Sequence, residues 1–377
     1  MNADSLGLYV HIPFCASRCR YCGFVSNIYD HDFADRYLEA LRMELNAQPL
    51  TERRFSTIFI GGGTPSSLSV RQLESLLKML PLGWAKEVSI EANPESATEE
   101  KLRLFSDNGV TRVSIGVQTF SHFGVKLLGR PHDPVTAQRR VAAAAARGFH
   151  SVNMDLIAGW PGQTASMLLA DLAIAVDSGT THLSCYELMR LPGSELTRAL
   201  KAKAIPPQSD REARKFWDVT ERFLGDHGFG HYEISNYSPP GFECRHNVNA
   251  WKGGEYIGVG VAAHSHLLGA RYWNVSDAAE YVRRITSGDS PVEGSETLEA
   301  DEKARETAVF WLRLSAGIDA AEFGERTGIC LEHLYYKELP YLLGAGGLEW
   351  RIQAGRRFLR LTKQSYPVAD AVLIDMV

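Results

Sequence analysis

The sequence predicts an α/β protein with a parallel β-sheet, followed by a smaller, mostly helical C-terminal part. Two observations predict this class. Apolar, β-branched segments alternate with segments of helical periodicity over the first half of the chain, with short connections between them. From about Thr297 onward the pattern changes to helices followed by one hairpin. Strands that alternate with helices usually lie parallel in one sheet, because each helix returns the chain to the edge where the next strand begins.

Six strands and five intervening helices are predicted in the alternating region. The strands are Leu8–Ile12, Ser56–Ile60, Glu87–Ala92, Arg112–Val117, Ser151–Ile157 and His182–Leu188. The helices are Asp32–Asn46, Val70–Leu80, Thr98–Asn108, Val135–Arg147 and Gln163–Ser178. The fourth helix contains the alanine run Ala142–Ala146 and is closed by Gly148, because alanine favours a helix and glycine ends one. Six units are fewer than the eight of a complete barrel, and the periodicity fits a partial barrel and a doubly wound sheet equally well.

The second half of the chain is predicted to contain two further parts. A break at Pro206–Asp210 precedes a helix over Arg211–Leu224, and the glycine-rich segment Gly258–Ser265 is expected to pack against the sheet edge. The later predicted elements are the helices Ala304–Leu314, Ala320–Thr327 and Glu332–Leu343 and a hairpin of Leu348–Ile352 with Arg357–Leu361. Three helices and a hairpin resemble a winged-helix module. We therefore expect three parts, at residues 1–205, 206–296 and 297–377.

The composition is that of an ordinary soluble globular protein. Of 377 residues, 45% are hydrophobic and 23% are charged, and the net charge is −5. This charge gives no reason to expect a nucleic-acid partner, so the winged-helix-like part is expected to act as a lid or docking surface. No basic stretch followed by an apolar core opens the sequence, and no run of about 18 apolar residues occurs. We therefore expect neither a secretory signal nor a membrane span.

Three cysteines, Cys15, Cys19 and Cys22, follow the first predicted strand at a C-x3-C-x2-C spacing. Soft thiolates at such a spacing hold an iron–sulfur cluster or zinc. Three thiolates leave one iron of a [4Fe–4S] cubane free, whereas a structural zinc site is closed by a fourth ligand, for which His11 is a candidate. Three unrelated buried thiols are the remaining alternative. Clustered thiols need reducing conditions, which predicts the cytoplasm, and the three other cysteines are expected to be small buried side chains.

Glycine or polar residues stand at the ends of the second to fifth predicted strands. The second is followed by Gly61–Thr64, the third contains Glu91, the fourth leads to Gln118 and the fifth contains Asp155. Because the carboxyl ends of parallel strands meet at one edge, we expect these residues to converge with the cysteine loop. Taken singly, the glycines fit a tight turn, and the carboxylates fit helix caps or ion pairs. Their convergence with the three thiols favours a binding site.

The cysteine spacing resembles the signature of the radical S-adenosylmethionine (SAM) superfamily, and the preceding segment Tyr9–Phe14 resembles its oxygen-independent coproporphyrinogen III oxidase-like family. The resemblance covers nearly the whole chain. It implies a partial, open (β/α)6 barrel, a [4Fe–4S] cluster held by the three cysteines, and SAM bound to the open iron through its amino and carboxylate groups. In this superfamily an electron from the cluster cleaves SAM to a 5′-deoxyadenosyl radical, so the cofactor carries the chemistry.

The resemblance also implies which residues hold SAM. The residues implied to contact its amino group are Gly62, Gly63 and Thr64. Those implied to hold its ribose and nearby polar atoms are Glu91, Gln118 and Asp155. Arg130 would pair with the SAM carboxylate, a charge-assisted contact suited to a guanidinium. Tyr9 and Tyr21 match positions near the cofactor, although Tyr9 is almost equally expected as a core residue.

Two features at the start of the chain separate it from the coproporphyrinogen oxidases. Those enzymes carry a further cysteine at the place where this chain has Phe24. They also have a longer segment before the motif than the fourteen residues that precede Cys15 here. We therefore expect a different branch of the family, without coproporphyrinogen oxidase activity.

A motif in the second half of the chain indicates which branch. The segment His246–Trp251, of pattern H-N-x-x-x-W, resembles the H-N-x-x-Y-W motif of the heme chaperone (HemW) branch. In that branch the motif is linked to heme binding, and imidazole is a common axial ligand of heme iron. Ala250 stands where the motif has Tyr, so this chain lacks that phenol. Taken alone, His246 is equally expected as a hydrogen-bonded loop histidine, and Trp251 as a packing residue.

The implied function is a heme chaperone that binds a [4Fe–4S] cluster, SAM and heme and transfers heme to an acceptor protein. The resemblance also implies an electron donor such as flavodoxin or ferredoxin, and it is compatible with attachment to the membrane surface through the acceptor. One alternative is a radical SAM enzyme that acts on a tetrapyrrole, such as an oxidative decarboxylase of coproporphyrinogen III, or a radical SAM methyltransferase. A structural zinc protein is another. The unassigned candidates for a second heme ligand are His231, His264 and His266.

Overall fold

A computed structural model describes residues 6–48, 50, 53–202 and 209–377. Within them, the strands of one twelve-stranded sheet are β1 (Gly7–Ile12), β2 (Thr57–Gly62), β3 (Glu87–Ala92), β4 (Arg112–Gln118), β5 (Ser151–Ala158), β6 (His182–Glu187), β7 (Gly230–Glu233), β8 (Asn236–Ser238), β9 (Tyr256–Val259), β10 (His264–Leu267), β11 (Ala270–Asn274) and β12 (Val292–Thr297). Their order across the sheet is β12-β11-β10-β9-β1-β2-β3-β4-β5-β6-β8-β7. Of the predicted break at Pro206–Asp210, residues 206–208 lie outside the described residues.

The centre of this sheet is parallel and contains the six predicted strands, β1 to β6, in chain order. A further parallel strand, β9, pairs with β1, with Gly7 opposite Tyr256 and Val10 opposite Val259. The sequence pattern predicts that the glycine-rich segment Gly258–Ser265 packs against the sheet edge, and it does not predict a parallel strand there. The reason is that the partner strand lies far away in the chain, so the local pattern of a four-residue strand contains no sign of the pairing.

Within the described residues, the helices that accompany the sheet are α1 (His31–Ala47), α2 (Val70–Met79), α3 (Glu99–Asp107), α4 (His122–Leu128), α5 (Pro134–Ala145), α6 (Ala165–Asp177), α7 (Glu195–Lys201), α8 (Asp210–Asp226), α9 (Arg245–Trp251) and α10 (Ala278–Thr286). The five predicted helices correspond to α1, α2, α3, α5 and α6. Each of these five begins after a polar side chain that accepts a backbone N–H of the first turn: Asp30, Ser69, Thr98, Asp133 and Thr164. Such caps satisfy backbone donors that have no partner inside the helix.

The parallel strands bury one face against helices and turn the other toward the barrel interior. In β1, Leu8, Val10 and Ile12 are fully buried and share a hydrophobic core with residues of α1. Successive side chains of a strand point to opposite faces, so Tyr9 and His11 face the interior. Because β1 is flanked by β9 instead of β6, the parallel strands do not close into a cylinder, and the barrel is partial and open.

The C-terminal residues form a second hydrophobic core. The described elements there are α11 (Ala300–Trp311), β13 (Ile318–Asp319), α12 (Ala320–Thr327), α13 (Leu331–Leu334), α14 (Glu338–Gly344), β14 (Leu348–Gln353), β15 (Arg356–Leu361) and α15 (Ala369–Leu373). The predicted hairpin is β14–β15, which turns through Ala354 and Gly355, both with positive φ. Among the described residues, no helix combines the length and the apolar character needed to cross a bilayer.

The predicted continuous helix Glu332–Leu343 is wrong, because the structure divides it into α13 and α14. Pro340 explains the division. In an uninterrupted helix its ring would clash with the carbonyl four residues earlier, at Tyr336, and it cannot donate a backbone hydrogen bond. The helix restarts at Glu338, so that Pro340 falls in the first turn, where proline is tolerated.

Glu44 of α1 joins this helix to the antiparallel side of the sheet. Its buried carboxyl group accepts hydrogen bonds from the Gly260 backbone N–H at 2.8 Å, the Asn274 amide at 2.8 Å and the Tyr281 hydroxyl at 2.6 Å. A buried donor without an acceptor costs free energy, so these three contacts hold β11 and α10 against α1.

We expect Glu44→Ala to lower the free energy of unfolding by about 2–4 kcal/mol, because three buried donors lose their acceptor. Urea unfolding followed by tryptophan fluorescence measures the change. Glu39→Ala is the matched control, since Glu39 lies on the exposed side of the same helix and pairs with Arg42 at the surface, where ion pairs contribute little. An equal loss of stability in both variants would contradict the role given to Glu44.

Candidate functional site

The carboxyl ends of the parallel strands surround a cavity of about 410 Å³, here called the cluster cavity. It is lined by most of the residues predicted to form a binding site: Cys15, Cys19, Tyr21, Cys22, Gly62, Gly63, Thr64, Glu91, Gln118, Arg130 and Asp155. The structure therefore brings these residues together, as the positions at the strand ends predicted. Three other predicted residues, Tyr9, His246 and Trp251, lie elsewhere.

Backbone pairing fixes the cysteine loop at both ends. Phe14–Cys15 pairs in parallel with Asn27–Ile28, so the chain leaves β1 and returns to nearly the same place. Between these ends, the Cys22 N–H donates to the Cys19 carbonyl at 3.3 Å. All three thiols are free and partly buried, and the loop presents them to the cluster cavity.

Hydrogen-bonding groups accompany two of the three sulfur atoms. The Thr64 hydroxyl lies 3.4 Å from the Cys15 sulfur, and the Arg130 guanidinium lies 3.2 Å from the Cys19 sulfur. Burial raises the pKa of Cys15 and Cys22. Because burial disfavours the thiolates, these donors and a bound cationic centre are what would stabilise them.

The separation of the thiols is compatible with a cluster. Among the described residues, no three His, Cys, Asp or Glu side chains converge closely enough to hold a single metal ion. The thiolates of a cubane cluster bind different irons, so they need not share one ion.

The glycine segment after β2 packs closely against the short strand Phe14–Cys15, and this packing leaves no room for side chains. The Gly63 N–H donates to the Ile12 carbonyl at 2.9 Å. A side chain at Gly63 would meet the Phe14 backbone at 2.9 Å, and one at Gly62, whose φ is +110°, would meet the His11 ring at 2.6 Å. The resemblance assigns Gly62 and Gly63 to contacts with SAM. The structure shows that the neighbouring strand also requires glycine at these positions.

Arg130 follows α4 and is buried beside the cysteine loop. Besides the Cys19 sulfur, its guanidinium donates to the Asn93 side-chain oxygen at 2.7 Å and to the Gly116 carbonyl. Burial opposes the charge, yet the nearby Tyr21 and Cys19 groups raise the pKa of Arg130 above its ordinary value. Its Nε is buried without a hydrogen-bond partner among the described residues. A charged group with one unused donor fits the carboxylate contact that the family resemblance implies.

Glu91 and Asp155 contribute two buried carboxyl groups to the same cavity. The Gly62 N–H donates to Glu91 at 3.0 Å, and the Asn153 amide donates to Asp155 at 2.7 Å. Burial and the negative charge of Asp155 raise the pKa of Glu91 to about 7, and burial raises the pKa of Asp155. A ligand that is positively charged or donates hydrogen bonds stabilises such a pair in its ionised form. The sulfonium and ribose hydroxyls of SAM have these properties.

Some residues of the cluster cavity were not assigned a role from the sequence. Asn93 accepts from Arg130 and donates to the Thr64 hydroxyl at 3.0 Å, and the Tyr186 hydroxyl donates to Gln118 at 2.9 Å. Gln118 has a φ of +73°, a costly backbone conformation for any residue but glycine, and such strain is often found at functional sites. Asn93 and Tyr186 stand at the carboxyl ends of β3 and β6, so the positional rule that found Glu91 could have found them.

A second cavity of about 430 Å³, here called the His246 cavity, lies along the interior face of β1. Gly23 and Phe24 line both cavities, so the cysteine loop separates them. Tyr9, expected near SAM, lines the His246 cavity instead, and its hydroxyl lies 3.1 Å from the His11 Nδ1. Because Tyr9 alternates with Leu8 and Val10, it lies on the interior face of β1. Its position in the strand does not predict which of the two cavities it lines.

His246 lies on α9, and Glu87 of β3 holds the first turn of this helix. The N–H groups of Arg245 and His246 donate to the Glu87 carboxyl group at 2.9 and 3.1 Å. The His246 Nδ1 lies 2.9 Å from the Thr57 hydroxyl, and burial lowers the pKa of His246 to about 4. The imidazole is therefore neutral near pH 7, and the neutral ring is the form that coordinates metal ions.

Trp251 lies at the other end of α9 and packs against the C-terminal core. Its ring is 6.1 Å from the Phe310 ring, and the Arg313 guanidinium lies 5.7 Å from it. It is not among the described residues that line the His246 cavity. The helix thus directs the first and last residues of the H-N-x-x-x-W segment into different surroundings.

The three histidines that were unassigned also separate in the structure. His264 lines the His246 cavity. His231 lies in another part of the molecule, 3.7 Å from the Glu221 carboxyl group, and His266 lies 3.3 Å from the Gly254 carbonyl. Of the three, His264 alone is placed where it could contact a ligand near His246.

Comparison with known proteins identifies the family. Residues 9–173 match the model of the Radical SAM superfamily. The heme chaperone HemW of Mycobacterium tuberculosis is 36% identical over 335 residues, which cover 86% of this chain and 85% of that protein. The heme chaperone HemW of Escherichia coli is 34% identical over 378 residues, which cover 94% and 96%. The chain belongs to the HemW family of the radical SAM superfamily.

The fold of this HemW family member also resembles that of a solved structure. Coproporphyrinogen III oxidase (HemN) from Escherichia coli superposes with a TM-score of 0.85 over 99% of this chain and 90% of that chain, at 23% identity. This likeness shows a shared fold. The predicted partial barrel with a smaller C-terminal part is thereby confirmed.

As a radical SAM protein, this HemW family member uses a [4Fe–4S] cluster and SAM, and the cluster cavity fits both. The fit to the cluster consists of three free thiols, two of which have a hydrogen-bonding group at their sulfur atom. The fit to SAM consists of the unpaired Nε of Arg130 and the two buried carboxyl groups. When bound, the cluster supplies the electron that cleaves SAM, and the protein supplies binding and orientation.

We expect Cys22→Ser to abolish cluster binding, because a hydroxyl is a harder and poorer iron ligand than a thiolate. Iron and acid-labile sulfide, measured after anaerobic reconstitution, should fall from about four of each per chain to near zero. Cys330→Ser is the matched control. Cys330 is an exposed free thiol outside the cavity, so the prediction that it is a buried side chain is wrong. A Cys22→Ser protein that keeps its full iron content would contradict the assignment of the three-cysteine motif.

The raised pKa of Glu91 predicts that SAM affinity depends on pH. With a pKa of about 7, Glu91 is mostly protonated at pH 6 and mostly ionised at pH 8. In the role that the resemblance implies, the ionised form would attract the sulfonium and accept hydrogen bonds from the ribose. SAM affinity should therefore rise several-fold from pH 6 to pH 8. Equilibrium dialysis of SAM against reconstituted protein measures it. Glu91→Gln should bind weakly with a flat profile, and an unchanged pH dependence in that variant would show that another group titrates.

Proposed function

We propose that the chain is a heme chaperone that binds heme in the His246 cavity and transfers it to an acceptor protein. The relatives from Mycobacterium tuberculosis and Escherichia coli bear the name heme chaperone. The observation that carries the proposal is the neutral imidazole of His246 at a cavity next to the cluster cavity. Imidazole is a common axial ligand of heme iron, and the aromatic side chains of this cavity suit a planar, largely apolar ligand.

The aromatic wall of the proposed heme site differs from the family motif at one position. Ala250, which stands where the motif has Tyr, lines the His246 cavity together with Tyr9 and Tyr256. The proposed heme site therefore has no phenol at position 250, and its tyrosines come from β1 and β9. In this proposal His246 supplies the iron ligand, His264 is the candidate for a second, and Trp251 contributes by packing.

The remaining site residues take the roles that the superfamily implies. In this proposal Cys15, Cys19 and Cys22 ligate the cluster. The residues proposed to hold SAM are Tyr21, Gly62, Gly63, Thr64, Glu91, Gln118, Arg130 and Asp155. Their common lining of one cavity and the unpaired donor of Arg130 support these roles.

The proposed cellular compartment and protein partners follow from the chemistry of the thiols, the cluster and heme. Three free thiols need a reducing compartment, which favours the cytoplasm. Reduction of the cluster needs an electron donor, for which flavodoxin or ferredoxin is proposed, and delivery of heme needs an acceptor that is accessible at the membrane surface or in solution. The division into residues 1–205, 206–296 and 297–377 also remains a proposal. It is supported near residue 297 by two hydrophobic cores, one ending at Ile285 and the other beginning at Ala304.

A radical SAM enzyme that acts on a tetrapyrrole is the second candidate. The observation that favours it is the shared wall of Gly23 and Phe24 between the two cavities. A ligand in the His246 cavity would lie next to bound SAM. The same arrangement would therefore also suit a reaction between that ligand and SAM, which is the alternative to heme transfer.

Heme titration of the anaerobically reconstituted protein tests the proposal. Wild-type protein should show a saturable change in the Soret band, and His246→Ala should weaken heme binding at least about tenfold, because the iron loses its proposed ligand. His227→Ala is the control, since His227 is an exposed imidazole that lines neither cavity.

The absence of saturable heme binding by the wild-type protein would refute the proposed function. The second candidate has its own measurement, which is incubation of the reduced protein with SAM and coproporphyrinogen III. Formation of 5′-deoxyadenosine together with an altered tetrapyrrole would favour the enzyme over the chaperone.

A further inference from the structure

We propose that Phe24 is a positioning residue whose ring packs against a planar tetrapyrrole in the His246 cavity and links that ligand to the cluster. The inference rests on the proposed function, because it presumes that the His246 cavity takes a heme-like macrocycle. It assigns a role to the residue that stands two places after the last cysteine of the motif.

Phe24 stands between the two ligand cavities. With Gly23, it belongs to the lining of both the cluster cavity and the His246 cavity. Its side chain is 70% exposed, although phenylalanine is among the residues most often buried. An uncovered ring at the border of a cavity loses its contact with water when a flat apolar ligand packs on it, which favours binding.

The backbone on both sides of Phe24 is held in place. On one side, the chain at Gly23 passes so close to Leu191 that an added Cβ would meet its side chain at 2.7 Å. On the other side, the Val25 carbonyl lies 3.1 Å from the Nε2 of His11 on β1. The point of attachment of the ring is therefore fixed while the ring itself is uncovered. Only the two side-chain torsions of phenylalanine then remain to be ordered on binding, which keeps the entropic cost low.

Phe24 also lies close to the cluster ligands. It stands two residues after Cys22 in the chain and lines the cavity that contains all three thiols. Solvent exposure and the groups around the ligating sulfur atoms change the electronic properties of an iron–sulfur cluster. Packing of a ligand on the Phe24 ring covers this border of the cavity and so alters the surroundings of Cys22.

Other aromatic side chains line the proposed binding site for a flat ligand. Tyr9 and Tyr256 line the His246 cavity from β1 and β9, and His264 lines it from β10. Phe24 differs from them because it alone of these four also lines the cluster cavity. This position makes it the side chain suited to hold the macrocycle at the border and to keep it out of the SAM site.

The test combines heme titration with electron paramagnetic resonance (EPR) of the reduced cluster in wild type, Phe24→Ala, Phe24→Trp and Phe123→Ala. Phe24→Ala should bind heme about tenfold more weakly, because the packing surface is lost, while iron content and SAM binding are kept. Heme should alter the EPR spectrum of the wild-type cluster and leave that of Phe24→Ala unchanged. Phe24→Trp should retain both properties. Phe123→Ala is the matched control, since Phe123 is 59% exposed on α4 and lines neither cavity.

The outcomes separate this inference from the proposed function. If wild-type protein and Phe24→Ala bind heme equally and show the same EPR change while His246→Ala loses binding, the role of Phe24 is refuted and the chaperone function stands. If wild-type protein binds no heme, both are refuted. If Phe24→Trp behaves like Phe24→Ala, an aromatic ring is not what the site needs, and the inference is again refuted.

Discussion

The parallel pairing of β1 with β2 is the constraint on which the rest of the structure depends. The two strands are in register from Gly7 opposite Thr57 to Ile12 opposite Gly62, so the chain segments that follow them leave the sheet at the same level. The short strand Phe14–Cys15 then passes so close to Gly63 that any larger residue at position 63 would displace this strand. The thiols are therefore positioned by backbone pairing, and the cluster cavity exists because this pairing holds.

The charges inside the barrel are arranged in two groups along its axis. At the amino ends of the strands, Glu87 accepts the N–H groups of α9, and the buried Arg112 lies in its field. At the carboxyl ends, Arg130 lies beside the Cys19 sulfur, whereas burial and the negative charge of Asp155 disfavour the ionisation of Glu91. The first group fixes His246, and its Arg112 Nε is buried without a hydrogen-bond partner among the described residues. The second group also has an unused donor, the Arg130 Nε, and it adds two buried carboxyl groups, so a cationic ligand with a carboxylate would complement it.

A single loop borders both cavities, so ligands proposed for the two cavities would lie on either side of it. The segment that carries Cys22 continues through Gly23 and Phe24 into β-pairing at Asn27–Ile28, so the wall between the cavities belongs to the loop that carries the three cysteines. The His246 cavity is bordered by His246 and Ala250 of α9, a helix whose first turn donates to Glu87 at the amino end of β3. Ligand sites that share a fixed wall can influence each other without a large rearrangement of the chain.

The sequence by itself determined the parallel strands, the main helices and the membership of the cluster cavity. The limits of β3 and α12 agree with prediction, and the residues at the strand ends converge as expected, because alternation, capping and strand-end position are local patterns. Only the tertiary structure decided that β9 lies beside β1, that Tyr9 lines the second cavity and that Trp251 packs away from His246. These outcomes depend on which distant segments of the chain pack together. The free energy of that packing comes from contacts between distant residues, which a local periodicity does not encode.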